Sequence, residues 1–290
     1  MEQYLLSTHP YSFGYSLKRL QDLPRQVIGR VEDGPSYVRT LVQGDRVGLV
    51  RISDAGPAGL RLTVEGDLDP ALTVATVRRA LSLDLDHDSF LRHVEQADPV
   101  IAGLARRFLG ARPIGPFSLW EALVWTVIAQ QINLTFAYSL KEALVRLGGQ
   151  SYLGYLAIPS PERVAQLDYG DLQAQKYSRR KAEYVIDLAR AVASGQLDLG
   201  AVVALPFGEA VERLVAFRGI GRWTAECLLM DAGHLTAFPA GDIGIRNAVQ
   251  RFYGLDHQPT EAEVRELGRA WAPYSALACY YLWLGLLDRG

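Results

Sequence analysis

The chain predicts an α+β fold, with an N-terminal antiparallel-sheet domain bearing helices over residues 1–85 and an all-helical part over residues 86–290. Two observations carry this division. Between residues 27 and 68 the segments VGLVRIS and LRLTVEG are rich in β-branched residues and punctuated by Gly, Pro and Asp at hairpin spacing. From about Asp86 onward such strand signals vanish and apolar residues recur at helical spacing.

Taken in order, SLKRLQDL (16–23) predicts a helix ahead of the strands and TVATVRRAL (73–81) one after them. In residues 118–148, Leu119, Leu123 and Val127 with Trp120, Val124 and Ile128 form a broad apolar face. Pro159, Pro161, Pro206 and Pro259 separate successive helices, and PSPE and PTEAE have the form of helix starts. AVERLVAF (210–217), RWTAECLLM (222–230) and IGIRNAVQRFYG (243–254) complete the helical pattern, with no internal repeat or low-complexity tract.

Composition sets bounds. A chain of 290 residues can form one large or two modest cores. Thirty basic and 32 acidic residues leave a net charge of −2, so an anionic partner must be met by a local patch. Lys176, Tyr177, Ser178, Arg179, Arg180 and Lys181, with Arg218, Arg222 and Arg246, are the candidates, although KYSRRK alone also suits a solvated helix start. Cys227 and Cys279 lie in apolar helical runs and read as buried free thiols. The five histidines lack zinc-ligand spacing, so no catalytic metal is expected. No signal peptide or bilayer-length apolar run is present, which predicts a soluble cytoplasmic protein without membrane contact.

The chemistry concentrates in two short motifs. In FRGIGRWTA (217–225), Gly219, Ile220 and Gly221 join two helices through a turn, with glycines at both turn positions permitting positive φ. Backbone N–H groups there, at the start of the next helix, suit a phosphate oxygen, a grip blind to base sequence. Alone, GIG better fits an ordinary αα-hairpin with a helix C-cap glycine. In FPAGDIGI, Asp242 falls at a helix N-terminus, where an anionic side chain is favoured by the helix dipole. A plain N-cap is the alternative, but a carboxylate beside a phosphate grip is costly unless it has a task.

FRGIGRWTA followed by Asp242, 19 positions after Trp223, resembles the helix-hairpin-helix (HhH-GPD) DNA glycosylase superfamily, and within it the 3-methyladenine DNA glycosylase II family. HPYSFGYSLKRL, ARPIGPFSLWEALVWTVIAQQINLTFA, YSRRKAEYVIDLA and WAPYSALACYYLWLGL extend the resemblance over essentially the whole chain. It implies a helical bundle of two lobes flanking a cleft, with the hairpin and Asp242 on its rim. It further implies a monomer that binds damaged double-stranded DNA, associates with the nucleoid through it, and excises alkylated bases for base excision repair.

The resemblance also assigns roles. Asp242 would be catalytic, stabilising positive charge on the deoxyribose and positioning water. Gln130, Trp223, Cys227 and Trp283 would line the base pocket, and Gln131 would wedge into the duplex. Gly219, Ile220, Gly221, Arg222, Thr224 and Lys181 would hold DNA phosphate. Backbone carbonyls of Val215, Phe217 and Ile220 would hold a structural Na⁺ or K⁺. Trp223 stands where strand-cutting members have a nucleophilic lysine, which implies a monofunctional enzyme. Two cysteines exclude the four-cysteine iron–sulfur cluster of some members, so no cofactor is expected. Two residues depart from the pattern. Arg19 replaces an aromatic and Cys227 a tyrosine, leaving lesion range open. The alternatives are a bifunctional glycosylase/lyase, a glycosylase for another damaged-base class, and a non-catalytic DNA-binding module.

Overall fold

Alternation along LRLTVE turns Leu60, Leu62 and Val64 inward and the residues between them outward, which places one face of the N-terminal sheet on a core. The computed structural model describes residues 1–7, 9–21, 23, 27–32 and 34–288; Asp22 and Asp33, within two segments read above, lie outside them. Five strands, β1 (Glu2–Leu5), β2 (Gly29–Glu32), β3 (Ser36–Gln43), β4 (Arg46–Asp54) and β5 (Leu60–Glu65), form one antiparallel sheet in the order β1-β5-β4-β3-β2. Strand β1 is an addition to the sequence reading, since EQYL is too short and too exposed to show alternation.

Helix Phe13–Gln21 packs Phe13 and Leu17 against the sheet core with Val77, Leu81 and Phe117. Asp69 caps helix Pro70–Ala80 through Leu72 N and Pro70 occupies its first turn, so this helix begins earlier than TVATVRRAL suggests. The later part is not wholly helical. Ser151–Tyr152 and Tyr155–Leu156 pair as a hairpin whose turn residues, Leu153 and Gly154, both have positive φ, as a tight two-residue turn requires. It is anchored to the sheet, where Thr40 Oγ1 donates to Leu156 O at 2.9 Å and Tyr155 Oη to Glu32 at 3.1 Å.

The helices divide between two further cores. One gathers Leu119–Ala129, Leu134–Gly148, Arg179–Ala193, Phe207–Val215 and Arg222–Asp231 around Leu123, Val127, Ile186, Leu214 and Leu228. The other combines early and late segments, His87–Ala97 and Pro99–Arg107 with Ile243–Tyr253 and Ser275–Leu287. Asp98 organises the second core: it caps helix Pro99–Arg107 through Val100 N and Ile101 N and accepts Trp271 Nε1 at 2.8 Å and Tyr253 Oη at 2.5 Å.

A buried ionic triad ties the sheet to the first helical core. Glu121 accepts from Arg39 Nη2 of β3 at 2.7 Å and lies 3.6 Å from Lys141 Nζ, all three being at least nine-tenths buried. Burial opposes charge on Glu121, but Arg39 and Lys141 together hold its pKa below the usual carboxylate range. Removing one member strands the others in a dry interior, so Glu121→Ala is expected to cost about 3–5 kcal/mol of stability in urea unfolding. Replacing all three by apolar residues of similar volume restores most of that loss.

Candidate active site

Asp242 is the N-cap of helix Ile243–Tyr253, and three N–H groups converge on its carboxylate. Ile245 N donates to Oδ1 at 3.0 Å, Trp283 Nε1 to Oδ1 at 3.1 Å and Trp223 Nε1 to Oδ2 at 3.3 Å. The two indoles come from helices Arg222–Asp231 and Ser275–Leu287, which belong to different cores, so the carboxylate stands where the cores meet. Oδ2 carries a single long bond and keeps capacity for another partner. Gly244 makes room for this arrangement, because a Cβ there would come within 2.9 Å of Trp283 Nε1 and 3.0 Å of Asp242 Oδ1. A glycine in a helix's first turn costs helix stability, and that is the sequence signal by which Gly244 is detectable.

The hairpin lies upstream of Trp223. Gly219 has φ +97° and a Cβ there would meet Tyr184 Cγ at 2.6 Å, so neither its conformation nor its packing admits a side chain. Gly221 differs from expectation. Its φ of −89° suits any residue, and a Cβ would meet nothing within 4 Å. Nothing among the described residues requires glycine at 221. Ile220 is buried and anchors the loop, while Gly221 caps helix Arg222–Asp231 without a side-chain cap. Among the described residues, no acceptor reaches the amides of Gly221, Arg222, Trp223 and Thr224, which form an open helix N-terminus.

Several residues assigned to ligand contact instead brace this loop. Gln130 Nε2 donates to Gly219 O and to Thr224 Oγ1, both at 2.8 Å, so its amide holds the hairpin. Thr224 is buried, with its hydroxyl accepting that bond. Lys181 is likewise held within the fold. Its Nζ donates to the carbonyls of Val127 (3.2 Å), Ile128 (2.6 Å) and Gln130 (2.9 Å) at the end of helix Leu119–Ala129, so its ammonium is spent on a helix C-terminus. Burial alone pulls its pKa down to about 8, and the three carbonyls counter that. Arg222 pairs with the buried Glu226 at 2.9 Å, and Arg179 and Arg218 share Glu183. Lys176 and Arg180 remain exposed. Gln131, just past Gln130, is exposed with φ +55°, a backbone shape that a non-glycine residue rarely adopts.

Beside Trp283 opens a cavity of about 380 Å³ between the sheet and the helices. Its wall includes Arg19, Trp125, Tyr138, Asp231 and Trp283, but not Gln130, Trp223 or Cys227. Cys227 and Cys279 are buried and free, and burial, with Asp242 adding to it, raises both thiols well above their ordinary range. Arg19 lies where the resemblance places it, its guanidinium 4.8 Å from the Trp283 ring. Asp231 is absent from the sequence reading. Its carboxyl faces the cavity but is otherwise enclosed, and burial raises its pKa to about 7 despite Arg19. The sequence does hold a trace of it, since a carboxylate ending a helix opposes the dipole.

Comparison with known proteins agrees with this geometry. Residues 124–273, which contain the hairpin and Asp242, match the HhH-GPD superfamily base excision DNA repair protein family. The chain is 39% identical over 206 residues to DNA-3-methyladenine glycosylase of Bacillus subtilis, covering 69% of this chain and 68% of that one. It is 26% identical to DNA-3-methyladenine glycosylase 2 of Escherichia coli over 94% of both chains. The solved 3-methyladenine DNA-glycosylase from Archaeoglobus fulgidus superposes with a TM-score of 0.82 at 27% identity, over 98% of this chain and 97% of that one.

Two predictions follow from the site. Gly219→Ala clashes with Tyr184 and unfolds at lower denaturant than the wild type. Gly221→Ala keeps wild-type stability yet loses affinity for duplex DNA, read by titration and thermal melting of each variant. For Asp231, the folded pKa of about 7 exceeds the ordinary aspartate value of 3.8, so its contribution to stability is present below 3.8 and lost as pH rises through 7. Asp231→Asn is therefore expected to gain stability over the wild type as pH rises across that window, with no further gain above it.

Proposed function

Because the chain belongs to the HhH-GPD superfamily of base excision DNA repair proteins, we propose that it is a monofunctional DNA glycosylase. It flips alkylated bases of the 3-methyladenine and 7-methylguanine type from duplex DNA and hydrolyses the N-glycosidic bond. The observation that carries this reading is the Asp242 carboxylate, held by two indole N–H groups and a helix N-terminus, with one of those indoles, Trp283, lining a cavity large enough for a base.

An N-alkylated purine leaves as a neutral base, taking the electron pair of the C1′–N bond and putting positive charge on the sugar. Asp242 faces that charge with Oδ2, and its fixed orientation spares the site any reorganisation as the charge develops. Water then adds to C1′, and its proton passes to Oδ2 and on to solvent, leaving an abasic site. Trp223 cannot attack the sugar, and none of the four lysines is placed to do so. Lys18 pairs with Asp288, Lys141 with Glu121, Lys181 holds a helix end, and Lys176 is exposed outside the site. This supports base release without strand cleavage.

DNA phosphate is held by the open amides at Gly221, Arg222, Trp223 and Thr224, with Gly219 and Ile220 shaping the loop. Gln131, exposed on a left-handed turn, enters the gap left by the flipped nucleotide. At the hairpin, the carbonyls of Val215 and Ile220 accept no hydrogen bond among the described residues and that of Phe217 accepts one, from Ile220 N. This oxygen set fits a monovalent cation, Na⁺ or K⁺, which would lend positive charge beside the phosphate. No other cofactor is invoked, and one copy of the chain supplies every group named. Among the described residues no helix is long and apolar enough to cross a membrane.

The assay is release of bases from methylated duplex DNA. Wild type releases 3-methyladenine or 7-methylguanine and nicks appear only after alkali. Asp242→Asn binds the duplex with similar affinity and loses release by roughly 100-fold or more. Nicks without alkali would favour the glycosylase/lyase reading, and unimpaired release by Asp242→Asn would remove Asp242 from the mechanism.

A further inference from the structure

The cavity wall beside Trp283 carries one unbalanced charge. Arg39 and Lys141 share Glu121, Arg78 pairs with Asp84, and Arg79 donates to the Phe117 carbonyl at 2.9 Å. Among the described residues, Arg19 alone of the wall's arginines and lysines has neither a carboxylate within ion-pair reach nor a hydrogen-bond acceptor. What it has is the Trp283 ring, 4.8 Å from its guanidinium carbon. Asp231, which faces the same cavity, receives no hydrogen bond among the described residues. With its carboxyl pushed up to about 7, it offsets only part of the Arg19 charge near neutral pH.

A base whose glycosidic bond reaches Asp242 must lie along Trp283, because that indole's N–H is on the Asp242 carboxylate and its ring forms the near wall of the cavity. The cation on that wall is permanent, planar and a donor only. Beside it, a base with a formal positive charge meets like-charge repulsion in a partly dry space. A neutral base with a carbonyl edge meets unpaired N–H donors. The aromatic surface that would otherwise attract a cationic base already has a cation.

We propose that Arg19 sets lesion choice in this pocket, disfavouring cationic N-alkylated purines and favouring neutral damaged bases that present a carbonyl acceptor. The inference rests on the glycosylase reading above and narrows it: N-alkylated purines remain substrates, but Arg19 slows their release relative to neutral damaged bases.

The experiment compares single-turnover release of hypoxanthine, which is neutral, and 7-methylguanine, which is cationic in DNA, by wild type, Arg19→Ala and Arg19→Lys. Each protein's two rates come from one preparation, so loss of folded enzyme cancels in their ratio. Arg19→Ala is expected to shift the ratio toward 7-methylguanine by roughly tenfold or more. Arg19→Lys, which keeps the charge, is expected to retain the penalty on the cationic base. A ratio unchanged in Arg19→Ala, or a wild type that releases 7-methylguanine but no hypoxanthine, overturns the proposal. A wild type that releases neither base, nor 3-methyladenine, sinks the glycosylase reading and this inference with it.

Discussion

The arrangement depends on one carboxylate shared between two helical cores. Asp242 begins its own helix and at the same time receives the indole N–H groups of Trp223 and Trp283. A half-buried carboxylate is costly unless its oxygens are satisfied, and here the indole donors come from helices of two different cores. The same contacts fix both tryptophan rings, so the two indoles and the acid are positioned as a unit. Gly244 keeps that unit free of clash.

Around it, the fold spends polar groups on bracing so that others stay open. Lys181 closes the end of helix Leu119–Ala129, which sets the sharp turn through Gln130 and Gln131. Gln130 in turn clamps the Gly219 carbonyl and the Thr224 hydroxyl, and among the described residues the backbone amides of residues 221–224 have no acceptor. On the proposed function, such open amides would hold a phosphate without much net positive charge, in keeping with a chain whose charge is −2. Several arginines near the hairpin are already paired, among them Arg179, Arg218 and Arg222.

Much of this was legible in the chain because it is local. Strands VGLVRIS and LRLTVEG, the hairpin glycine at 219 and the N-cap at Asp242 declare themselves through residue type and spacing, and they appear where expected. Family resemblance located Trp223, Trp283 and Arg19 near one another, which no periodicity could do. What stayed hidden depends on contacts distant in sequence. Lys181 reads as a basic surface residue until the carbonyls more than 50 positions away are seen to take its protons. The Ser151–Leu156 hairpin has too few residues for a strand pattern and is held by the sheet it touches. Asp231 looks like any helix-ending acid, and only the enclosure built by other segments makes it unusual.

The claim that Trp223 and Trp283 act on the reaction by aiming Asp242 is most directly tested by a double-mutant cycle in single-turnover base release. Phenylalanine at 223 or 283 keeps an aromatic face for the base and removes the indole N–H. The account predicts that Trp223→Phe and Trp283→Phe each slow release in the wild type but add little to the loss already caused by Asp242→Asn. Losses that multiply fully in the Asp242→Asn background would show that the indoles act independently of the carboxylate, and would contradict it.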